Sequence, residues 1–173
     1  MAITTLSGYT RQCGRQSGGV SRIGIIRAAD IDTVTVTEGV VSAIKFKEGK
    51  AFKDYQSELD QAEFTYNNGE ANLLLRLNRV GKTASIVVAE LEEVAPCGLV
   101  AIAQLNNGET ALIGYTEEFG LTRPIVTVES EVNSGKALTD ANYVDVTLKT
   151  SQVVPPLFLS ESVEIDTLFT TTA

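Results

Sequence analysis

The residues in this chain best typed for chemistry are Lys82, Thr83 and three groups of carboxylates. Gly81-Lys82-Thr83 stands directly before an apolar-periodic stretch and has the ending of a phosphate-binding loop, whose lysine reaches the phosphates and whose hydroxyl meets Mg²⁺. The first glycine of such a loop would fall at Arg76, within a stretch that reads as a strand. No phosphate cradle can form there, so the tripeptide reads as a turn and a helix start, with Thr83 as the expected N-cap. Gly14–Gly19 is glycine-rich but lacks the Gly-Lys-Ser/Thr ending. The carboxylates gather at Glu90, Glu92 and Glu93, at Glu117 and Glu118, and at Glu129 and Glu131. Paired carboxylates can serve glycoside hydrolysis or hold Ca²⁺. Glu129 and Glu131 alternate with valines, the pattern of a half-exposed strand, and the chain has no Asp-x-Asp-x-Asp-Gly loop. Glu117, Glu118, Glu129 and Glu131 are therefore expected to line a pore or a subunit contact.

The 173 residues include no His and no Trp. Most hydrolytic triads take their base from His, so an enzyme is not expected, nor is a cofactor or a metal. Cys13 and Cys97 cannot make a four-ligand zinc site without His. The opening MAITTLSGYTRQ has no basic segment followed by an apolar one, so no secretory leader is expected. Both thiols are then expected to stay reduced, in or near the core. No run approaches the roughly 18 apolar residues of a membrane span, and no membrane partner is expected. The net charge of −8 is unevenly spread. Residues 1–82 carry eleven Lys/Arg against nine Asp/Glu, and residues 83–173 carry three against thirteen. Duplex binding through Lys/Arg neutralisation of phosphates is disfavoured. Copies with one weakly basic and one acidic side would attract head to tail, the geometry of rings and filaments.

The elements that must carry these residues are mostly strands. Residues 1–19 are polar and Gly-rich and read as an arm. Strands are predicted at Val20–Ala28, Thr33–Thr37, Val40–Lys47, Glu70–Arg79, Leu99–Leu105, Glu109–Thr116, Pro124–Val132 and Tyr143–Lys149. Gly39 marks a bend or bulge between two of them, whereas Asn67-Asn68-Gly69 and Asn106-Asn107-Gly108 are hairpin turns. Thr83–Val94 is the one convincing helix, with Val87, Leu91 and Val94 on a stripe widened by Ala84 and Ile86, stopped by Pro96 and Gly98. Ala51–Tyr66 is only weakly patterned. Residues 155–173 form a tail apolar enough to want a partner. The order fits a mainly β domain over residues 20–154, a β-sandwich or small barrel with one flanking α-helix.

Three stretches resemble small virion proteins from phages of Bacteroidota hosts. CGRQSGGVSRIGIIRAADID (13–32) resembles their opening. LVAIAQLNNGETALIGYTEEFGL (99–121) resembles their strand–turn–strand after the helix. NSGKALTDANYVDVTLKTSQVVPPLFL (133–159) resembles their closing pattern, although Asn142-Tyr143 stands where an Asn-Gly turn would be expected. The resemblance spans most of residues 8–160 and rests on order and pattern. It implies a tail tube subunit of a tailed phage, made in the host cytoplasm and ending in the virion tail. Its partners would be copies of itself in stacked, hexameric rings, other virion proteins, and double-stranded DNA passing through without specific binding. A neck or connector ring, a head decoration protein, or a non-viral β-sandwich binding module are the alternatives. The resemblance also implies a long hairpin, placed at residues 45–68, that reaches neighbouring copies, with the N-terminal arm and C-terminal tail touching the next ring. The inter-subunit residues expected on this basis are Lys47, Lys50, Phe52, Lys53, Tyr55, Leu59, Phe158 and Phe169.

Overall fold

The computed structural model describes residues 5–11, 13–14, 17–58, 60–152 and 154–169. In chain order the strands are β1 (Val20–Arg27), β2 (Ile31–Thr37), β3 (Val40–Phe46), β4 (Lys53–Tyr55), β5 (Glu63–Asn67) and β6 (Glu70–Leu77). Helix α1 (Lys82–Val94) follows, then β7 (Leu99–Leu105), β8 (Thr110–Ile113), β9 (Thr127–Asn133), β10 (Tyr143–Ser151), β11 (Leu157–Phe158) and the single turn α2 (Ile165–Leu168).

The run Leu99–Ala103 in β7 is apolar at every position, and all five residues are buried. A strand apolar on both faces has to be covered on both. β7 accordingly sits in the middle of an antiparallel sheet of order β11-β8-β7-β1-β4. On one face Leu99, Ala101 and Ala103 join Ile23, Ile25 and Ile113. That core is closed by a second sheet, β5-β6-β10-β9, through Leu73, Leu75, Val146 and Leu148, and by Ala84 and Leu91 of α1. On the other face Val100 and Ile102 join Ile26 and Leu112 under the β2–β3 hairpin, Phe52 and Leu168. Each fully buried Val, Leu or Ile contributes about 1.5–3 kcal/mol, so the central sheet is stabilised from both sides. The architecture is a mainly β sandwich with one principal helix, and its sheets do not close into a barrel.

Two tight turns set hairpin registers. Asn68 and Gly69 have φ of 49° and 86°, and Asn67 pairs with Glu70, the two-residue loop that needs positive φ at both positions. Glu38 and Gly39 do the same at 53° and 83°, with Thr37 paired to Val40. The expected bend at Gly39 is thus a complete reversal, and β2 and β3 form a separate two-stranded sheet.

Helix α1 departs from expectation at its start and on one face. Gly81 is its N-cap residue, extended at φ 176° with no side-chain cap bond, so Thr83 lies inside the first turn. Ile86 is 58% exposed. Two residues at 100° each carry it to the far side of the helix from Ala84 and Val88, whatever its hydrophobicity. The stop is as expected: a 3-10 turn at Ala95–Cys97, then Gly98 at φ 102°.

Residues 45–68 do not form one protruding hairpin. Lys53–Tyr55 lies along β1, with Ile23 opposite Tyr55 and Ile25 opposite Lys53, while Glu63–Asn67 pairs in the other sheet. Between them the chain crosses from one sheet to the other. Ala51 and Phe52 are buried side by side just before the first of these strands, and Ala62 is buried alone just before the second, which gives no alternation for a sequence reading to detect. The C-terminal segment also finds its partner within the domain. Leu157 and Phe158 pair with β8, Leu159 bridges Val41, and Leu168 is 4% exposed. The Phe169 ring lies over Gly24, where a Cβ would stand 2.8 Å from it. The Arg22 guanidinium covers the ring at 3.8 Å from its centroid and bonds Asp166 Oδ1 at 2.7 Å.

Candidate interaction surface

Alternation along β6 and β10 turns Ala71, Leu73, Leu75, Val144, Val146 and Leu148 into the core. The intervening residues form the opposite face of the second sheet. Cross-strand register assembles that face in rows. Glu63, Leu74, Thr147 and Glu129 lie abreast across all four strands; Arg76, Asp145 and Glu131 form the next row. Glu70 and Ser151 are paired at one end. Tyr143, at the other, lies under the Arg76 guanidinium at 3.7 Å from its ring centroid.

Carboxylates outnumber cations on this face. Arg76 makes a two-bond fork to Asp145, at 2.7 Å from Nε and 3.2 Å from Nη2, and Lys149 Nζ lies 3.0 Å from Glu129 Oε2. The Asp145 hydrogen bond raises the Arg76 pKa above its ordinary value against the opposing effect of desolvation. Both cations being engaged, Glu63, Glu70 and Glu131 lie outside any ion pair among the described residues. The face is polar, net negative and backed by a continuous apolar core.

Of the expected acidic residues, the structure brings Glu129 and Glu131 into this face and leaves Glu117 and Glu118 elsewhere. Those two are exposed in the loop between β8 and β9, at a turn closed by the Thr116–Gly120 bridge. Burial, and after it the Glu117 charge, raises the Tyr115 pKa.

The expected inter-subunit residues divide. Lys47, Lys50 and Lys53 are exposed. Lys50, Lys53 and Tyr55 line a groove of about 320 Å³ between β4 and α1, with Glu90 on the helix side. The Tyr55 pKa is raised by burial and then by Glu90. Phe52 belongs to the interior at 2% exposure, edge-on to Phe46 with centroids 5.4 Å apart. A side chain buried this way is spent inside its own domain, so its assignment to a contact between copies is corrected. Phe158 and Phe169 are half-buried against their own domain, and Leu59 lies outside the described residues.

The thiols are also corrected. Cys13 and Cys97 are both free and both exposed. Cys97 sits in the turn after α1, where Ala95 takes the inward position at 2% exposure. Lys82 and Thr83 are exposed at the start of α1, with β6 ending at Leu77. Among the described residues no three His, Cys, Asp or Glu side chains converge as a metal site.

Comparison with known protein families, curated protein sequences and solved structures finds no match. The features that remain are geometric. Sequence reading missed the Arg76–Asp145 fork because the partners are 69 residues apart and meet only through the β6–β10 register. It also missed that β9 ends its sheet. The one available signal was that Thr127–Asn133 carries only two apolar residues, Val128 and Val132, where Leu99–Ala103 of the central β7 is apolar at every position.

Proposed function

We propose that this protein is a virion structural subunit, the major tail tube protein of a tailed phage, whose copies form stacked, hexameric rings around passing double-stranded DNA. The observation that carries this reading is the acidic face built by β5, β6, β10 and β9. DNA presents one negative charge per ~1.7 Å of its axis. A lumen walled by Glu63, Glu70, Glu129, Glu131 and Asp145 repels that backbone and lets it slide. Binding proteins do the reverse, with surplus Lys and Arg. Lys47, Lys50 and Lys53 on the β3–β4 side give each copy a basic region to set against the acidic one of a neighbour, which favours heterologous, ring-closing contacts. The sequence patterns at residues 13–32, 99–121 and 133–159 add the likeness to phage virion proteins. The ends of such a tube would meet other virion proteins.

Negative-stain microscopy of the purified protein, raised stepwise in concentration and paired with sedimentation velocity, tests the reading. Rings that stack into tubes are expected. Single rings without stacking would move the protein to a neck or connector position. A monomer at every concentration and salt would overturn the reading.

A further inference from the structure

Two parts of the molecule are exposed in complementary ways. The first is β9. It pairs with β10 on one side and, among the described residues, ends its sheet on the other, and six of its seven residues are exposed. Of its core-side positions Val132, at the end that leads into the β9–β10 loop, is 64% exposed, while Glu129 and Glu131 project from the opposite face. An edge of this length offers a row of backbone donors and acceptors to any extended chain. The other edge of the same sheet, β5, has five residues and only Glu63 as a charge.

The second is the N-terminal segment. Residues 5–11 have no strand or helix and are all exposed, Leu6 at 101% and Tyr9 at 85%. Residues 1–19 contain Arg11 and Arg15 and no acid. Extended, the segment alternates. Leu6 falls on one face, and Tyr9 and Arg11 fall on the other. The pattern matches β9, which has valines on one face and glutamates on the other. Gly8, at φ 77°, takes extended backbone at no steric cost.

From this match we propose that Thr5–Arg11 of one copy adds as a strand to the β9 edge of a second copy. Leu6 covers Val132, and Arg11 with Tyr9 lies beside Glu129 and Glu131 at the edge of the acidic face, whose Glu63 and Glu70 stay uncovered. The main-chain bonds supply affinity and the alternation supplies register. The inference rests on the self-assembly reading above and names the surface that assembly uses. The segment remains attached to its own domain through Gly18 and Gly19, whose carbonyls accept bonds from Asn106 at 2.7 and 3.0 Å. It therefore works as a tethered ligand.

Disulfide trapping between two full-length chains tests this directly. The donor carries Cys97→Ser and keeps Cys13. The acceptor carries Cys13→Ser and Cys97→Ser with a new thiol at one end of β9, Thr127→Cys or Val132→Cys. The control acceptor places the thiol on β5 as Thr65→Cys. Under a glutathione redox buffer, a mixed disulfide is expected at one or both β9 positions, in yield several-fold above the β5 control. Arg11→Glu in the donor should lower that yield and Glu131→Arg in the acceptor should restore it. Equal yields at β9 and β5, or no mixed disulfide at either β9 position while the wild-type chain still forms rings, overturn the strand addition and leave the assembly reading standing. Trapping at β9 by a chain that never forms particles would keep the strand addition and remove the tube.

Discussion

β7 and β9 are both seven-residue strands, and they are put to opposite uses. β7 is covered on both faces, with Val100, Ala101 and Ala103 at 0% exposure and Ile102 at 1%. β9 is exposed at six positions and carries Glu129 and Glu131 at its third and fifth residues, where β7 carries Ala101 and Ala103. The first strand holds the domain together. The second leaves a surface that costs little to change and is open to a neighbour. Stability and proposed assembly are thus assigned to different strands, which allows them to be perturbed separately.

The largest expected effect lies in β7. Ile102→Ala should destabilise the fold by about 2–5 kcal/mol, since the site is closed on every side. Val132→Ala in β9 should leave the denaturation midpoint within about 0.5 kcal/mol of wild type while weakening self-association. Urea titration and sedimentation velocity on both variants check the contrast, and equal losses of stability would erase it. Next comes Gly24→Ala, on β1 directly opposite Ile102. The new methyl meets the Phe169 ring at 2.8 Å, an overpacking cost of about 1–3 kcal/mol. Phe169→Ala frees that space, so a double-mutant cycle should show strong coupling.

The two hairpins sharpen the comparison further. The β7–β8 turn depends on Gly108 at φ 95° with open space around its Cα. Gly108→Val should cost about 1–2 kcal/mol through backbone strain alone, read as a lowered thermal midpoint. The β9–β10 loop is instead closed by a side chain: Asp140 Oδ2 accepts from the Lys136 and Ala137 amides at 3.0 and 2.8 Å. The Ala137 and Lys136 bonds, in that order, lower the Asp140 pKa. A carboxylate with a depressed pKa in the folded state contributes fully above the ordinary Asp range and loses that contribution as pH falls through the lowered value. Amide exchange at Lys136 and Ala137 should therefore accelerate only in strong acid, with the β7–β8 amides unaffected. This is the smallest of the expected changes.

Strand positions, the main helix and the hairpin turns are legible in the sequence because each depends on local periodicity or on residues that accept positive φ. β1, β6, β7 and β10 lie within two or three residues of their predicted bounds, and Asn68-Gly69 turns as its composition requires. The reading weakens where alternation stops. Ala51 and Phe52 are buried together and Ala62 alone, so residues 51–66 show no alternation, and only the resemblance places a long hairpin at residues 45–68. The acidic face was legible in part. Glu129 and Glu131 share a parity that any strand would give them, but their juxtaposition with Asp145 and Glu63 needs the four-strand register.

The chain alone determined that this is a β protein with one main helix and a split charge. Those properties follow from short-range sterics and from composition. Only the tertiary structure decided which strands are central and which end a sheet, that the C-terminal segment packs on its own domain, and that the thiols face outward. Each of these depends on contacts between residues far apart in sequence, which short-range sterics do not determine.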